Sequence, residues 1–180
     1  EMQYFSEVLT SRQLGWREGG LVTRFEQAFA AKVGCSHAIA RNSAMSALAE
    51  AVSISGAGTA TEVICDPMVQ FGALAALYFN AVPRFADVKP DTYLMDPASL
   101  RANITPQTRA VIVTNLWGMC AELDEIRRIC DEHNIFMIED CAHSIGATWK
   151  GKHSGTYGDM GCFSFQQGKH MTTGDGGMMT

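Results

Sequence analysis

Apolar positions along the chain recur at helical spacing in some segments and as short runs in others. Apolar residues between Val22 and Val33 follow a helical period, and Gly34 ends the predicted helix. A run rich in Ala and Leu at 44–52 has no breaker and predicts a buried helix. Asp96 and Pro97 suit the cap and the first position of another short helix.

Short apolar runs between these helices predict strands. Strands are predicted at 37–40, 62–65, 82–88, 110–114 and 135–138, with further helices at 71–79 and 122–132. Strands that alternate with helices indicate an α/β domain with a mostly parallel sheet, flanked by helices on both faces. Ligands of such sheets bind beyond the carboxyl ends of the strands, so polar residues at those ends are candidates for function.

The composition is that of one globular domain spanning residues 1–180. The chain is 47% hydrophobic and 18% charged, and it is long enough to bury a core. A net charge of −5 argues against a nucleic-acid partner. No apolar run approaches the ~20 residues that span a bilayer, and the first residues do not resemble a signal peptide. We therefore expect no membrane partner and a cytoplasmic location.

The six cysteines are scattered and lack the spacing of zinc ligands or of a disulfide framework. We expect buried free thiols and no metal site. The chain begins at Glu1 and stops at Thr180, directly after a glycine-rich, strand-like segment. These ends lead us to expect a fragment of a longer protein.

Several predicted strands are followed by polar side chains, and these are Asn42 and Ser43, Asp66, Asn115, Asp140 with His143, and the stretch after Phe165. Asp140 follows a strongly apolar strand. A carboxylate at the mouth of an apolar sheet is costly to bury unless it meets a cation or hydrogen-bond donors. A functional carboxylate and a simple capping acid fit this segment equally well. Taken alone, His143 is most simply interpreted as a polar side chain that has a hydrogen-bond partner.

Lys169 lies in a loop of small and hydroxyl residues with several glycines nearby. Such a loop lets a phosphorylated ligand approach backbone N–H groups closely. A solvated lysine in a surface loop fits the same pattern. The glycines follow the lysine, which argues against a nucleotide P-loop, and residues 42–45 (NSAM) stand where a dinucleotide fingerprint would be.

Two sequence motifs occur together in this chain, and their combination is specific enough to indicate a protein family. Residues 139–143 (EDCAH) match the pattern Glu-Asp-x-Ala-His/Gln, and residues 164–177 (SFQQGKHMTTGDGG) match Ser-Phe-x-x-x-Lys-x-x-Thr-x-Gly-Glu-Gly-Gly. Both patterns resemble those of the DegT/DnrJ/EryC1/StrS family of pyridoxal-phosphate (PLP) sugar aminotransferases. The similarity spans nearly the whole chain. It implies the large domain of a fold-type I PLP transferase, with the small C-terminal domain of the family absent from this chain.

The resemblance implies three catalytic residues. Lys169 would hold PLP as a Schiff base and later move the proton between substrate and cofactor. Asp140 would bond the pyridine nitrogen and keep it protonated. His143 would reach the phenolic oxygen of the cofactor or support Asp140.

Further residues are implied to hold the cofactor without reacting. Phe71 would stack on the pyridine ring, with packing in the core as the alternative. The phosphate would lie at the helix start formed by Ala44 and Met45, where N–H groups and the helix dipole favour an anion. Ser164 would add a hydroxyl group.

The chain departs from the family pattern at three places. Ala44-Met45 replaces the usual Gly-Thr, so Ser43 or Ser46 would have to supply the missing hydroxyl. Asn115 stands where the family often has a histidine, which leaves the substrate contacts there open. Asp175 replaces the usual Glu conservatively.

The implied activity is transfer of an amino group from glutamate or glutamine to a keto-sugar, usually nucleotide-linked, in amino-sugar biosynthesis by a homodimer. Some relatives carry histidine at the lysine position and dehydrate their substrate, but Lys169 favours transamination. A keto-cyclitol such as a scyllo-inosose, or an aminobenzoate-type precursor, is the alternative substrate. Outside this class, a non-catalytic PLP-binding fragment or split subunit and a nicotinamide-dependent reductase stay open.

Overall fold

The computed structural model describes residues 1–180 as six helices and nine strands. The helices are α1 (Met2–Ser11), α2 (Leu21–Val33), α3 (Ala44–Ile54), α4 (Gln70–Leu77), α5 (Pro97–Asn103) and α6 (Leu123–His133). The strands are β1 (Ile39–Arg41), β2 (Glu62–Cys65), β3 (Val82–Phe85), β4 (Thr108–Thr114), β5 (Phe136–Asp140), β6 (Thr148–Trp149), β7 (Lys152–His153), β8 (Met160–Ser164) and β9 (Gly177–Met179).

Seven strands form one sheet in the order β1-β9-β8-β5-β4-β2-β3, and β6 pairs with β7 in a separate hairpin. Strands β3, β2, β4, β5 and β8 are parallel, whereas β9 runs antiparallel to both of its neighbours. The predicted mostly parallel α/β sheet is therefore confirmed. The central strands β4 and β5 carry uninterrupted apolar runs because both of their faces are covered.

Helices cover the sheet on two faces. Apolar residues of α3 and α4 pack with Val63, Ala110 and Ile112 in one cluster, and those of α6 pack with Val111 and Val113 in another. Because successive strand residues point to opposite faces, neighbouring residues of β4 belong to different clusters. A third cluster joins α2 to β8 and β9 through aromatic side chains.

The observed elements differ from the predicted ones in some of their bounds, and strands β6, β7 and β8 are absent from the prediction. The first strand is Ile39–Arg41 instead of 37–40, and β3 ends at Phe85 because it pairs with β2 over only four residues. Helix α1 is absent from the predicted elements, although Met2, Phe5 and Leu9 recur on it at helical spacing and remain exposed. The short capped helix is confirmed as α5, since Asp96 Oδ1 accepts from Ala98 N at 3.0 Å and Pro97 is its first residue.

All six cysteines are unpaired, and Cys65, Cys130, Cys141 and Cys162 are buried. The expectation of buried thiols is thus met at four positions, while Cys35 and Cys120 are partly exposed. Burial raises the pKa of Cys65 and of Cys130 to about 12. None of the helices combines the length and the hydropathy that crossing a bilayer requires.

Glu139 is a completely buried carboxylate whose hydrogen bonds connect three parts of the fold. It accepts from the backbone N–H groups of Gly155, Tyr157 and Gly158 at 2.8, 2.6 and 2.8 Å, and from Asn115 Nδ2 at 3.1 Å. Gly155 has φ +81°, and a Cβ there would lie 2.4 Å from the Phe163 ring, so the loop requires glycine. These bonds fix the loop before β8 against the end of β5.

We predict that Glu139→Ala destabilises the fold by about 3 kcal/mol or more, because it leaves four buried donors without an acceptor. Glu125→Ala is the matched control, since this carboxylate lies at the surface of α6 beside Arg128. Urea unfolding of the two variants measures the difference. Equal stability of the two variants would contradict the structural role of Glu139.

Candidate functional site

A cavity of about 250 Å³ opens at the carboxyl ends of the parallel strands, beside the first turns of α3 and α4. It is lined by Ser43, Ala44, Met45, Leu48, Phe71, Asp140, Ala142, Ser164, Gln166, Lys169 and Asp175. The residues that the family resemblance implies to hold the cofactor or to react meet here, with the exception of His143. The predicted location beyond the strand ends therefore coincides with an observed cavity.

Asp140 is the last residue of β5, and its side chain is only 2% exposed. Its carboxylate accepts a single hydrogen bond within the chain, from Ala142 N to Oδ1 at 3.0 Å. Burial, together with the charge of Asp66, raises the pKa of Asp140 to about 6, against the lowering effects of the Ala142 N–H and of Lys169. A buried carboxylate with one donor has capacity for a cationic partner in the cavity.

Lys169 lies after β8 in a turn that two hydrogen bonds to Gln166 stabilise. Gln166 O accepts from Lys169 N at 2.9 Å, and Gln166 Oε1 accepts from Gly168 N at 2.8 Å. Burial lowers the pKa of the Lys169 ammonium, and the charge of Asp140 partly offsets this effect. A lowered pKa enlarges the fraction of neutral amine, which is the nucleophilic form.

The start of α3 forms a polar end of the cavity. Ser43 caps the helix by accepting from Ser46 N at 3.1 Å, and the N–H groups of Ala44 and Met45 precede the first intrahelical bond. Ser164 lines the same cavity. Of the two serines considered as replacements for the missing hydroxyl, Ser43 lines the cavity, whereas Ser46 Oγ lies 2.6 Å from Asn42 Oδ1. The geometry suits an anion.

Phe71 is the second residue of α4 and is 45% exposed. It belongs to none of the three hydrophobic clusters and lines the cavity instead. Packing in the core, the alternative for this residue, does not describe the structure. Its ring is available to a planar ligand.

His143 lies outside the lining of the cavity and is half-buried. Its side chain makes no hydrogen bond to Asp140, while its carbonyl oxygen accepts from Gly118 N at 2.8 Å. Burial and the nearby charges of Lys169 and His170 lower the pKa of His143. The imidazole is therefore close to the lysine loop without supporting Asp140 directly.

Asn115 is completely buried, which resolves the question that its replacement of histidine raised. Its Nδ2 donates to Glu139 Oε2 at 3.1 Å, and its Oδ1 accepts from Ala121 N at 3.0 Å. Asn115 is a structural residue and does not line the cavity. Leu48, Ala142 and Gln166 line it without having been predicted, although the two motifs contain Ala142 and Gln166.

The sequence model of the DegT/DnrJ/EryC1/StrS aminotransferase family matches residues 1–180. This chain belongs to that family. The match covers every residue that lines the cavity, and the large-domain α/β fold predicted from the two motifs agrees with it.

Curated relatives include enzymes of amino-sugar and aminocyclitol synthesis. The chain is 39% identical to the spore coat polysaccharide biosynthesis protein SpsC of Bacillus subtilis, over 100% of this chain and 46% of the relative. It is 40% identical to GDP-perosamine synthase of Caulobacter vibrioides, over 90% and 44%. It is also 40% identical to L-glutamine:2-deoxy-scyllo-inosose aminotransferase of Streptomyces kanamyceticus, over 86% and 36%.

Solved structures of related proteins superpose closely. An aminotransferase from Psychrobacter cryohalolentis has a TM-score of 0.95 and 35% identity, over 99% of this chain and 46% of that chain. A protein described as a sugar aminotransferase of Streptococcus pneumoniae, in its PLP form, has a TM-score of 0.91 and 26% identity, over 100% and 50%. The chain spans about half the length of the relatives that it matches.

We predict that Asp140→Asn stabilises the ligand-free protein at pH 8 by on the order of 2 kcal/mol. The folded-state pKa of about 6 lies above the ordinary value of 3.8, so the protonated carboxyl stabilises the fold at low pH, and this contribution is lost as pH rises through 6. Asn keeps the acceptor for Ala142 N and removes the charge. Urea unfolding at pH 4 and pH 8 should show the gain mainly at pH 8, because the cost of the charge grows between pH 3.8 and pH 6. A variant that is less stable than the wild type at pH 8 would contradict the burial of an unpaired charge.

Proposed function

We propose that this protein is a PLP-dependent aminotransferase that moves an amino group from glutamate or glutamine to a nucleotide-linked keto-sugar in amino-sugar biosynthesis. The observation that carries the proposal is the meeting of Lys169 and Asp140 in one cavity at the strand ends. Burial shifts the pKa of the amine down and that of the carboxyl up. Perturbed groups that converge in a cavity are typical of active sites.

The cavity fits PLP at three places. Asp140 presents a buried carboxylate with an unused acceptor to a cationic ring nitrogen. The first turn of α3, with Ser43 and Ser164, offers N–H and hydroxyl groups to the phosphate. Phe71 offers an aromatic face to the ring. When bound, PLP supplies an aldehyde that reacts with amines and a ring that accepts electrons from the substrate carbon.

Lys169 is the residue that would hold the cofactor through its side-chain amine. Burial lowers the pKa of this amine and enlarges its neutral fraction, and the Gln166 turn holds the loop from which the side chain extends. The same amine, when not bound to the cofactor, would accept and return the proton of the substrate carbon. The loop therefore serves two steps with one side chain.

Asp140 would hold a proton on the ring nitrogen of the bound cofactor. Its surroundings contain one backbone donor and no cation in contact, so a protonated ring nitrogen is the partner that offsets the cost of its burial. Of the two roles implied for His143, we propose contact with the phenolic oxygen of the cofactor, because its side chain makes no hydrogen bond to Asp140.

The similarity to GDP-perosamine synthase supports a nucleotide-linked keto-sugar as substrate. The similarity to the glutamine-dependent scyllo-inosose aminotransferase favours a keto-cyclitol as the second candidate, and supports glutamine as a donor. The PLP form of the Streptococcus pneumoniae relative supports the cofactor.

We further propose that residues 1–180 form the N-terminal part of the large PLP-binding domain, with the substrate contacts completed outside this chain. The protein is proposed to act as a homodimer, as the family resemblance implies. A cytoplasmic location is proposed because six unpaired cysteines suit a reducing compartment.

We expect borohydride reduction of the full-length protein with PLP to fix the cofactor covalently on Lys169, as mapped by mass spectrometry. Lys169→Ala removes the attachment and lowers the rate of amine transfer by about a thousandfold or more, since no other amine lines the cavity. Lys32→Ala, an exposed lysine on α2, is the control and should leave both unchanged. Attachment that persists in Lys169→Ala would rule out the assignment.

The substrate class can be tested with a panel of nucleotide-linked keto-sugars and keto-inositols, with glutamate and glutamine as donors. We expect kcat/KM to be at least about tenfold higher for a nucleotide-linked keto-sugar, because the nucleotide adds binding contacts remote from the reacting carbon. The reverse order of preference would support the keto-cyclitol alternative. If no amine is transferred to either class of ketone, both substrate candidates are excluded.

A further inference from the structure

Asp66 is a second buried aspartate at the carboxyl end of the sheet, and none of the roles above uses it. It follows β2 directly and is only 3% exposed. Its Oδ1 accepts from Met68 N at 3.0 Å and from Val69 N at 3.2 Å. Its Oδ2 is buried and has no hydrogen-bond partner. A buried oxygen without a partner is rare enough in proteins to require an explanation.

The hydrogen-bonded oxygen of Asp66 fixes the turn between β2 and α4. Val69 is the residue before α4, and Phe71 is the second residue of that helix. The helix packs tightly on the strand, because a Cβ on Gly72 would lie 3.0 Å from the Cβ of Cys65. The position of the Phe71 ring therefore depends on the turn that Asp66 holds.

The unpartnered oxygen places negative charge at the same edge of the sheet as Asp140. The charge of Asp66 is near enough to raise the pKa of Asp140, while Lys169 and the Ala142 N–H act on Asp140 in the opposite direction. Strand β4 separates β2 from β5, so the two carboxylates occupy the ends of strands with one strand between them. Two buried carboxylates strengthen the negative potential that a cation entering the cavity meets.

We propose that Asp66 is a positioning residue of the cofactor site: one oxygen holds the turn that presents Phe71, and the charge on the carboxylate helps Asp140 to hold a protonated heteroaromatic ring. The proposal rests on the proposed function, because the ring is that of PLP. Asp66 touches neither the cofactor nor the substrate in this role. It acts through Phe71 on one side and through Asp140 on the other.

Asp66→Asn separates the two roles, because the amide keeps an acceptor oxygen for Met68 and Val69 but removes the charge. In the full-length protein we expect the dissociation constant for PLP to rise about tenfold. In the cofactor-free protein the titration midpoint of Asp140, followed by carboxyl ¹³C NMR, should shift downward. Asp66→Ala removes both the acceptor oxygen and the charge, and it should weaken PLP binding further. Asp87→Asn, an exposed aspartate that follows β3, is the matched control and should match the wild type.

A purely structural role for Asp66 would leave Asp66→Asn equal to the wild type in PLP binding and in the Asp140 midpoint, and that result overturns the proposal. If Asp66→Asn does not fold, Asp66→Ser, which is also uncharged and carries an acceptor oxygen, gives the same two readouts. A wild type that does not bind PLP would refute the proposed function. The Asp140 midpoint would still show whether Asp66 acts on Asp140.

Discussion

The site depends on the burial of one carboxylate, that of Asp140, at the end of a strand covered on both faces. Its side chain is removed from water and meets one backbone donor, so its negative charge is not balanced within the chain. A fold retains such a group when a bound partner supplies the missing interaction. The cationic ring nitrogen of PLP would supply it, and the neighbouring Lys169, Phe71 and α3 surround the cavity in which that ring would lie.

Glu139 and Asp140 are adjacent in sequence but have opposite environments. Successive residues of a strand point to opposite faces, so one carboxylate faces the loop before β8 and the other faces the cavity. Glu139 receives three backbone N–H groups and the Asn115 amide, whereas Asp140 receives one N–H group. The satisfied carboxylate fixes the end of β5, and the unsatisfied one is thereby held at the cavity.

Much of this arrangement could be predicted from the sequence. The amphipathic pattern of α2, the apolar runs of β2, β4 and β5 and the cap at Asp96 are local signals, and each corresponds to an observed element. The association of Asp140 with Lys169 came from the two motifs. The burial of Asn115 and the unpaired oxygen of Asp66 could not be predicted, because both depend on contacts between strands far apart in sequence. Helix α1 is absent from the predicted elements, although its apolar residues Met2, Phe5 and Leu9 stand at helical spacing.

The most direct test of the central claim is the protonation state of the cofactor ring. Full-length protein loaded with PLP labelled with ¹⁵N at the pyridine nitrogen can be examined by NMR between pH 7 and pH 8. The account predicts a protonated ring nitrogen in the wild type and loss of that proton in Asp140→Ala. A ring nitrogen that is unprotonated in the wild type, or protonated equally in both proteins, would contradict it.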